Sequence, residues 1–262
     1  MARKNMIHTT AIISETATIG DGVKVGPYCI VGDDVILEIG VELMSHVCIA
    51  GRTEVGENTK IYPFASIGYA PQDLKYNGEK SQLIIGKNNI IREYVTIHPG
   101  TKNGTMKTVI GESCLFMIGS HVAHDCIVGN KVVMANNATL GGHVTIGDET
   151  IIGGLAAIHQ FVRVGHNAII GGVSAVVNDV IPFGSAAGDR ARLIGVNIIG
   201  MQRHNQSKEE INAVRHAYHT IFLEKNANFN DRVEGLANAK EQGVLAIVEF
   251  LRSSGSRSIC LP

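Results

Sequence analysis

Ile110, Phe116, Val122, Val128, Met134, Leu140, Ile146, Ile152, Ile158, Val164, Ile170 and Val176 stand six residues apart along the stretch from Ile110 to Val176. Every one is apolar. A period of six is neither the roughly 3.6 of an amphipathic helix nor the roughly 2 of a half-buried strand. Working outward, the same clock fills the N-terminal part of the chain at Ile7, Ile13, Ile19, Val25, Val31, Leu37, Leu43, Ile49, Val55, Ile61 and Ile67. It fails at Asp73 and Glu79, returns in phase at Ile85, Ile91 and Ile97, and breaks once more before Ile110, which is one residue out of phase.

Two further hexad positions carry a signal. Glycine often follows the apolar residue (Gly20, Gly26, Gly32, Gly56, Gly111, Gly129, Gly147, Gly165, Gly171), and the fifth position is small or β-branched (Ala17, Val23, Cys29, Val35, Cys126, Val132, Ala138). A short repeat of this kind cannot bury its apolar residue alone and must stack on copies of itself. The expected architecture is therefore mainly β, a parallel β-helix whose coils pair about 4.8 Å apart. It resembles the hexapeptide-repeat β-helices, and that resemblance implies a left-handed coil of three hexads. Two segments interrupt the clock, Tyr69 to about Gln82 and about Pro99 to Thr108, and both read as loops leaving a rigid scaffold. After Pro182 the clock stops, and Phe183 to Gly188 reads as a linker. From Ser207 the pattern turns helical: Ser207 and Glu210 have capping-box spacing, and Ile211, Val214, Tyr218, Ile221 and Phe222 share a face. Further helices are expected around 231–241 and Val244–Ser253. The chain divides into a β-helix over 1–188 and a helical domain over 189–262.

Composition narrows the function. The 262 residues carry 23 Lys+Arg against 24 Asp+Glu, so no strong field for nucleic acid or an anionic membrane arises. The five cysteines (Cys29, Cys48, Cys114, Cys126, Cys260) form no CxxC pair and read as reduced thiols. The basic stretch Met1 to Asn5 is followed by no apolar run of signal or transmembrane length, which suits a cytoplasmic protein.

The chemistry concentrates in His121-Val122-Ala123-His124-Asp125-Cys126. With three hexads per coil, residues 18 apart stack. His124 then lies over Gly142, Gln160 and Asn178, and Asp125 over His143 and Phe161. An imidazole of near-neutral pKa can take a proton from a hydroxyl, a carboxylate can hold its tautomer, and a glycine N–H can stabilise an oxyanion. No Ser or Cys nucleophile stands in this column, so direct transfer is expected, and Cys126 reads as core. A metal site built from His121, His124 and His143 is a rival reading, as is a non-catalytic scaffold.

Gln72-Asp73-Leu74-Lys75-Tyr76, Ile97-His98, Ala123-His124-Asp125-Cys126, Ala135 to Leu140, Gly142-His143, His159-Gln160-Phe161 and Gly195-Val196-Asn197-Ile198 occur in this order. Together they resemble the acyl-[acyl-carrier-protein]–UDP-N-acetylglucosamine O-acyltransferases, which begin lipid A biosynthesis in Gram-negative bacteria, and the resemblance covers essentially the whole chain. It implies a homotrimer without cofactor or metal, with sites between β-helices. In that picture His124 is the base on the sugar 3-hydroxyl, Asp125 orients it, and Gly142 N–H holds the oxyanion as a 3-hydroxyacyl group leaves acyl carrier protein. Asp73, Lys75, His98, His121, His143 and Gln160 would position sugar nucleotide or acyl chain, and Asn197 and Arg203 would meet the UDP part. Gly172 stands where the family limits acyl length; with Gly154 18 residues before it, the pair leaves a groove suited to a 3-hydroxymyristoyl-class chain. The chain departs from the family at Gln202-Arg203-His204, Ile199 and Asp189-Arg190, which touches the UDP and carrier-protein contacts more than the base. Arg190, Arg192, Arg203 and Lys208 are candidates for docking the acidic carrier. The related amine-directed N-acyltransferase and a zinc lyase of the carbonic-anhydrase kind are the competing enzymes.

Overall fold

A computed structural model describes residues 4–225, 227–253 and 255–262; Met1, Ala2 and Arg3 of the basic N-terminal stretch lie outside these. Each hexad contributes a strand of two residues and a four-residue corner, and successive strands fall into three parallel sheets in turn. Sheet A begins at Met6–Ile7, sheet B at Ile12–Ile13 and sheet C at Thr18–Ile19. His121 pairs with Thr139 and Val122 with Leu140, so one coil is the expected 18 residues.

The clock residues point inward. Phe116, Val122, Met134 and Leu140 are fully buried, and so are the fifth-position residues Cys29, Cys126, Val132 and Ala138 that close the corners from inside. Removing each large aliphatic from water contributes roughly 1.5–3 kcal/mol before chain entropy is counted, which makes this column the main stabiliser. The exception is the first coil. Ile7 keeps the phase but is 47% exposed, because among the described residues no coil lies beneath it.

Corner residues repeatedly take a left-handed backbone, with φ near +58° at Tyr28 and His46, +59° at Asp125 and +62° at His143. Ordinary side chains pay for this conformation, and here the backbone ladder between coils holds them in it. His143 N–H, for example, donates to the His124 carbonyl at 3.0 Å.

Both interrupting loops leave from one corner. The first runs between Ser66–Ile67 of sheet B and Gln82–Ile85 of sheet C; the second runs between Thr96–Ile97 and Lys107–Ile110. Their bases are stitched by four-residue strands of sheet C, in which Arg52, Gln82 and Lys107 stand in register. The B/C corner of the next coil is Ala123–Cys126, so the loops sit immediately beside His124.

The stretch Phe183 to Gly188 is not a linker: Gly184–Ala187 pairs parallel with Ile169–Ile170 as the next strand of sheet A, and Arg192–Val196 returns antiparallel onto it and ends the sheet. Among the described residues four α-helices follow: α1 (Ile198–Arg203), α2 (Lys208–Tyr218), α3 (Phe229–Glu234) and α4 (Gln242–Arg252), with a π-turn at His219–Leu223 after α2. Ser207 caps α2 by accepting from Glu210 N–H, but the Glu210 carboxylate, the reciprocal half of a capping box, accepts from Gly243 N–H at the start of α4. The helix expected around 231–241 starts earlier, where Asn228 accepts from Asp231 N–H, and ends at Gly235. Beyond it, Leu236, Ala237 and Ala239 close tight turns onto carbonyls three residues back, which is why the α-helix does not run on.

Candidate active site

His124 and Asp125 are sequence neighbours, and the left-handed turn at Asp125 folds the carboxylate back beside the ring. His124 Nδ1 and Asp125 Oδ2 are 2.8 Å apart. Asp125 is buried at 4% exposure. Burial alone would raise its pKa; the Thr101 donors, with His124 and Thr105 N–H, outweigh it and leave the carboxyl below its usual range. An ionised Asp125 accepts from His124 Nδ1–H, which leaves Nε2 as the free basic nitrogen.

In sequence the second interruption reads only as a loop; in the structure it is what fixes Asp125. Thr101 hydroxyl donates to Oδ2 at 2.7 Å, Thr105 N–H to Oδ1 at 2.8 Å, and Thr101 N–H reaches both oxygens. A side chain on Gly104 would run into this carboxylate. The signal available in sequence was a Gly/Thr-rich segment; nothing in it named Asp125 as the partner.

Gly142 lies under the imidazole as the 18-residue stacking requires. A Cβ there would come 2.6 Å from His124 Cε1 and 2.7 Å from Nε2, so only glycine leaves the ring its place. Among the described residues Gly142 N–H has no acceptor. His143 meets His124 edge-on at 5.0 Å between centroids and stacks on Phe161 at 4.4 Å, as the column predicts. Burial lowers the pKa of His143, an effect deepened by His124 and partly opposed by Asp125 and by Asp73 of the first loop.

His98 and His121 extend the cluster. Their rings meet edge-on at 5.0 Å, and His121 Nδ1 pairs with Thr96 Oγ1 at 2.7 Å. His98 is buried, its Nδ1 has no hydrogen-bond partner among the described residues, and its pKa is pushed down to about 4, by burial first and then by His121 and His124. His121 is lowered by burial and by His124. Lys75 and Gln160 are exposed at the same corner.

The column does not continue to Asn178. Gln160 would pass its carbonyl to Asp179 N–H on the next coil, but Asp179 N–H turns to Ser258 O at 2.8 Å. Arg257 Nε takes the Gln160 carbonyl at 3.0 Å instead.

Three of the candidates stand elsewhere. Gly172 and Gly154 occupy the A/B corner, where a Cβ on Gly172 would meet only Gly154 backbone, at 3.1 Å from its oxygen. Asn197 caps α1: its Oδ1 accepts from Gly200 N–H at 2.9 Å and its Nδ2 donates to Asn167 O at 2.8 Å. Arg203 ends the same helix, exposed, beside His204, which pairs with Glu149 at 3.0 Å. Asn167 and Glu149 belong to the C/A corner, so within one chain Asn197 and Arg203 are not brought to His124.

Metal ligation fits poorly. His124, Asp125 and His143 place ligand atoms within 4.8 Å of one another, but the Asp125 oxygens already accept from Thr101, Thr105 and His124. Cys126, fully buried with its pKa pushed up to about 12, has no thiolate to offer as nucleophile or ligand.

A stacked hexapeptide solenoid with a carboxylate-held histidine on one corner and a helical cap defines a hexapeptide-repeat acyltransferase. Residues 107–142 match the bacterial transferase hexapeptide family, and residues 179–260 match the second domain of the UDP-N-acetylglucosamine O-acyltransferases. The chain belongs to the acyl-[acyl-carrier-protein]–UDP-N-acetylglucosamine O-acyltransferase family and is an acyltransferase with a left-handed β-helix. Members from Caulobacter vibrioides and Rickettsia typhi are 49% and 52% identical to it, over 98% and 97% of both chains. The solved UDP-N-acetylglucosamine O-acyltransferase of Moraxella catarrhalis superposes with a TM-score of 0.94 at 40% identity, covering 97% of this chain and 99% of its own. The enzyme of Campylobacter jejuni gives 0.92 at 37% identity, with 98% and 99% covered.

Proposed function

We propose that this protein moves a 3-hydroxyacyl group from the thioester of acyl carrier protein to the 3-hydroxyl of UDP-N-acetylglucosamine, opening lipid A synthesis in the cytoplasm of a Gram-negative bacterium. The observation that carries the mechanism is the 2.8 Å contact between His124 Nδ1 and Asp125, which leaves Nε2 free above Gly142. His124 Nε2 takes the hydroxyl proton as the sugar oxygen bonds to the thioester carbon. Gly142 N–H receives the charge that builds on the carbonyl oxygen. When the C–S bond breaks, the imidazolium returns its proton to the leaving thiolate. Asp125 stabilises the imidazolium without itself being protonated. No group on the protein is acylated.

Asp73, Lys75, His98, His121, His143 and Gln160 ring this corner and would hold the sugar nucleotide and the start of the acyl chain. Outward-facing Thr139, Ala157 and Ala175 on sheet B leave a shallow track from the His124 corner to the Gly154–Gly172 corner, which suits a long chain. Asn197 and Arg203 stand on the third corner. For them to meet the UDP part of the same substrate, a second copy must supply them, which supports a homotrimer with composite sites. Asn197, its amide engaged internally, would serve by fixing α1, leaving Arg203 for the contact. No helix among the described residues is long and apolar enough to cross a membrane.

The test is acyl transfer from 3-hydroxymyristoyl-acyl carrier protein to UDP-N-acetylglucosamine with EDTA present. Turnover that survives EDTA and vanishes in a folded His124→Ala variant supports the reading; turnover lost to EDTA favours the metal. Composite sites predict that co-refolding inactive His124→Ala with an inactive Arg203→Ala variant restores measurable activity. Recovery of none at all would mean each chain completes its own site.

A further inference from the structure

Arg257 lies in the C-terminal segment, about as far from His124 in sequence as the chain permits, yet it ends the catalytic column. The segment is strapped to the β-helix: Cys260 N–H donates to Asp179 O at 2.7 Å, and Leu193 N–H donates to Leu261 O at 3.0 Å. A side chain on Gly255 would run into Asp179 and Arg163, and Asp179, fully buried, holds Arg163 by its Nε at 2.7 Å. Arg257 is thereby delivered to a fixed place, with Nε 3.0 Å from Gln160 O and Nη2 2.8 Å from His159 Nδ1.

That second contact has a chemical consequence. A guanidinium only donates, so His159 Nδ1 must accept, and in a neutral imidazole the proton then sits on Nε2. His159 Nδ1 also lies 3.2 Å from Gln160 O, a contact in which it would donate. The two arrangements are mutually exclusive, and Arg257 selects between them by claiming Nδ1, while its Nε competes for the carbonyl that would otherwise attract the proton.

We propose that Arg257 is a positioning residue that locks His159 in the Nε2–H tautomer, making it a fixed hydrogen-bond donor on the corner that carries His124, Gly142 and Gln160. His159 is exposed at that corner, one residue before Gln160. The group it would meet is an acceptor on the substrate, a phosphate or carbonyl oxygen. This role rests on the acyl-transfer reading; the tautomer itself does not.

The first measurement is the ¹⁵N shift pattern of His159 in the full-length protein. The wild type should show Nε2 protonated, and Arg257→Met should move the proton to Nδ1, onto the freed Gln160 carbonyl. In the acyl-transfer assay Arg257→Met should lose roughly tenfold in kcat/KM, the scale of one hydrogen bond from a well-held donor, with Arg257→Lys recovering part of it. His159→Phe should cost about as much, and the double variant little more than either alone. An Nδ1–H tautomer in the wild type overturns the proposal even if Arg257→Met does not fold. So does an unchanged tautomer in Arg257→Met, or a double variant whose losses multiply. Absence of wild-type turnover would overturn the functional reading and leave the tautomer result standing.

Discussion

Two corners of the β-helix are built from the same hexads and do opposite things. On the A/B corner, Tyr28, His46, Phe64 and Tyr94 occupy successive left-handed positions, with ring centroids 5.0, 5.0 and 5.2 Å apart, the first pair tilted and the other two stacked. On the B/C corner the equivalent positions are Asp125, His143 and Phe161, again left-handed and again in ring contact from His143 to Phe161. The A/B ladder stands open to solvent, with Tyr28 58% and Tyr94 60% exposed, and among the described residues neither insertion leaves from it. The B/C corner receives both insertions, and the second brings Thr101 and Thr105 onto Asp125. A stacked imidazole, as His46 shows, is therefore not a site by itself. What sets His124 apart, and supports its proposed role, is a carboxylate beside it that two threonines hold, over a glycine that leaves room.

Removing one ring from each corner should separate them most widely. His124→Ala takes away the proposed general base and should cut kcat by at least about 10²-fold, while Tyr94→Ala on the other corner should keep turnover within about twofold. Both are compared by acyl-transfer rate on protein of matched circular dichroism. Equal losses at the two corners would mean that the β-helix as a whole, not the B/C corner, sets the rate. Gly142→Ala comes next. Its Cβ would stand 2.6 Å from the His124 ring, so the imidazole must swing away, and a displacement on the ångström scale costs roughly 10²-fold. The fold should be intact, with little change in melting temperature; a variant at wild-type rate would show that His124 works from another rotamer.

The sequence declares the coil because an inward position recurs and cannot be met by helix or strand; Val122 and Val128 are interchangeable reports of one demand. It also declares that His124 lies over Gly142, since stacking follows from counting. Asp125 was legible as a neighbour but not as a partner, because its direction depends on one left-handed residue and on a loop whose path no period governs. Thr101, Thr105 and Arg257 stayed hidden for that reason. Arg257 reaches Gln160 only because Asp179 leaves the ladder, a local departure with no compositional mark. The C-terminal domain was readable as helix but not in its joints: Glu210 carries capping-box spacing yet serves α4, and the π-turn at His219–Leu223 has no sequence signature.

Loosening the Asp125 cradle should do less than deleting the base. Thr101→Val removes the 2.7 Å hydroxyl donor and leaves the backbone donors from Thr101 and Thr105. The expected loss is roughly tenfold in kcat, from one hydrogen bond to a charged group, and the acid limb of the pH–rate profile should shift because the carboxylate is less well held. A ten-fold loss in which that limb stays put would mean that Thr101 matters for the loop's shape and not for Asp125.

The mildest contrast lies in stability against pH. His98, buried behind the B/C corner with its pKa pushed down to about 4, stays neutral in the fold while the unfolded chain would protonate it near about 6.5. Between those values the unfolded state binds the extra proton, so this histidine's contribution to stability falls as pH drops from about 6.5 towards 4, and levels off below. Asp125 acts in the same sense lower down: its depressed pKa favours the fold above the unfolded carboxyl value, and that support is lost as pH falls through the folded one. Urea midpoints measured from pH 7 to about pH 2 should therefore decline, and His98→Gln should flatten the decline between about 6.5 and 4 while leaving the part below about 4 in place. A mutant curve parallel to the wild type would assign the acid sensitivity to another histidine. The partly buried His166 on the C/A corner, also lowered by burial, is the first to substitute next.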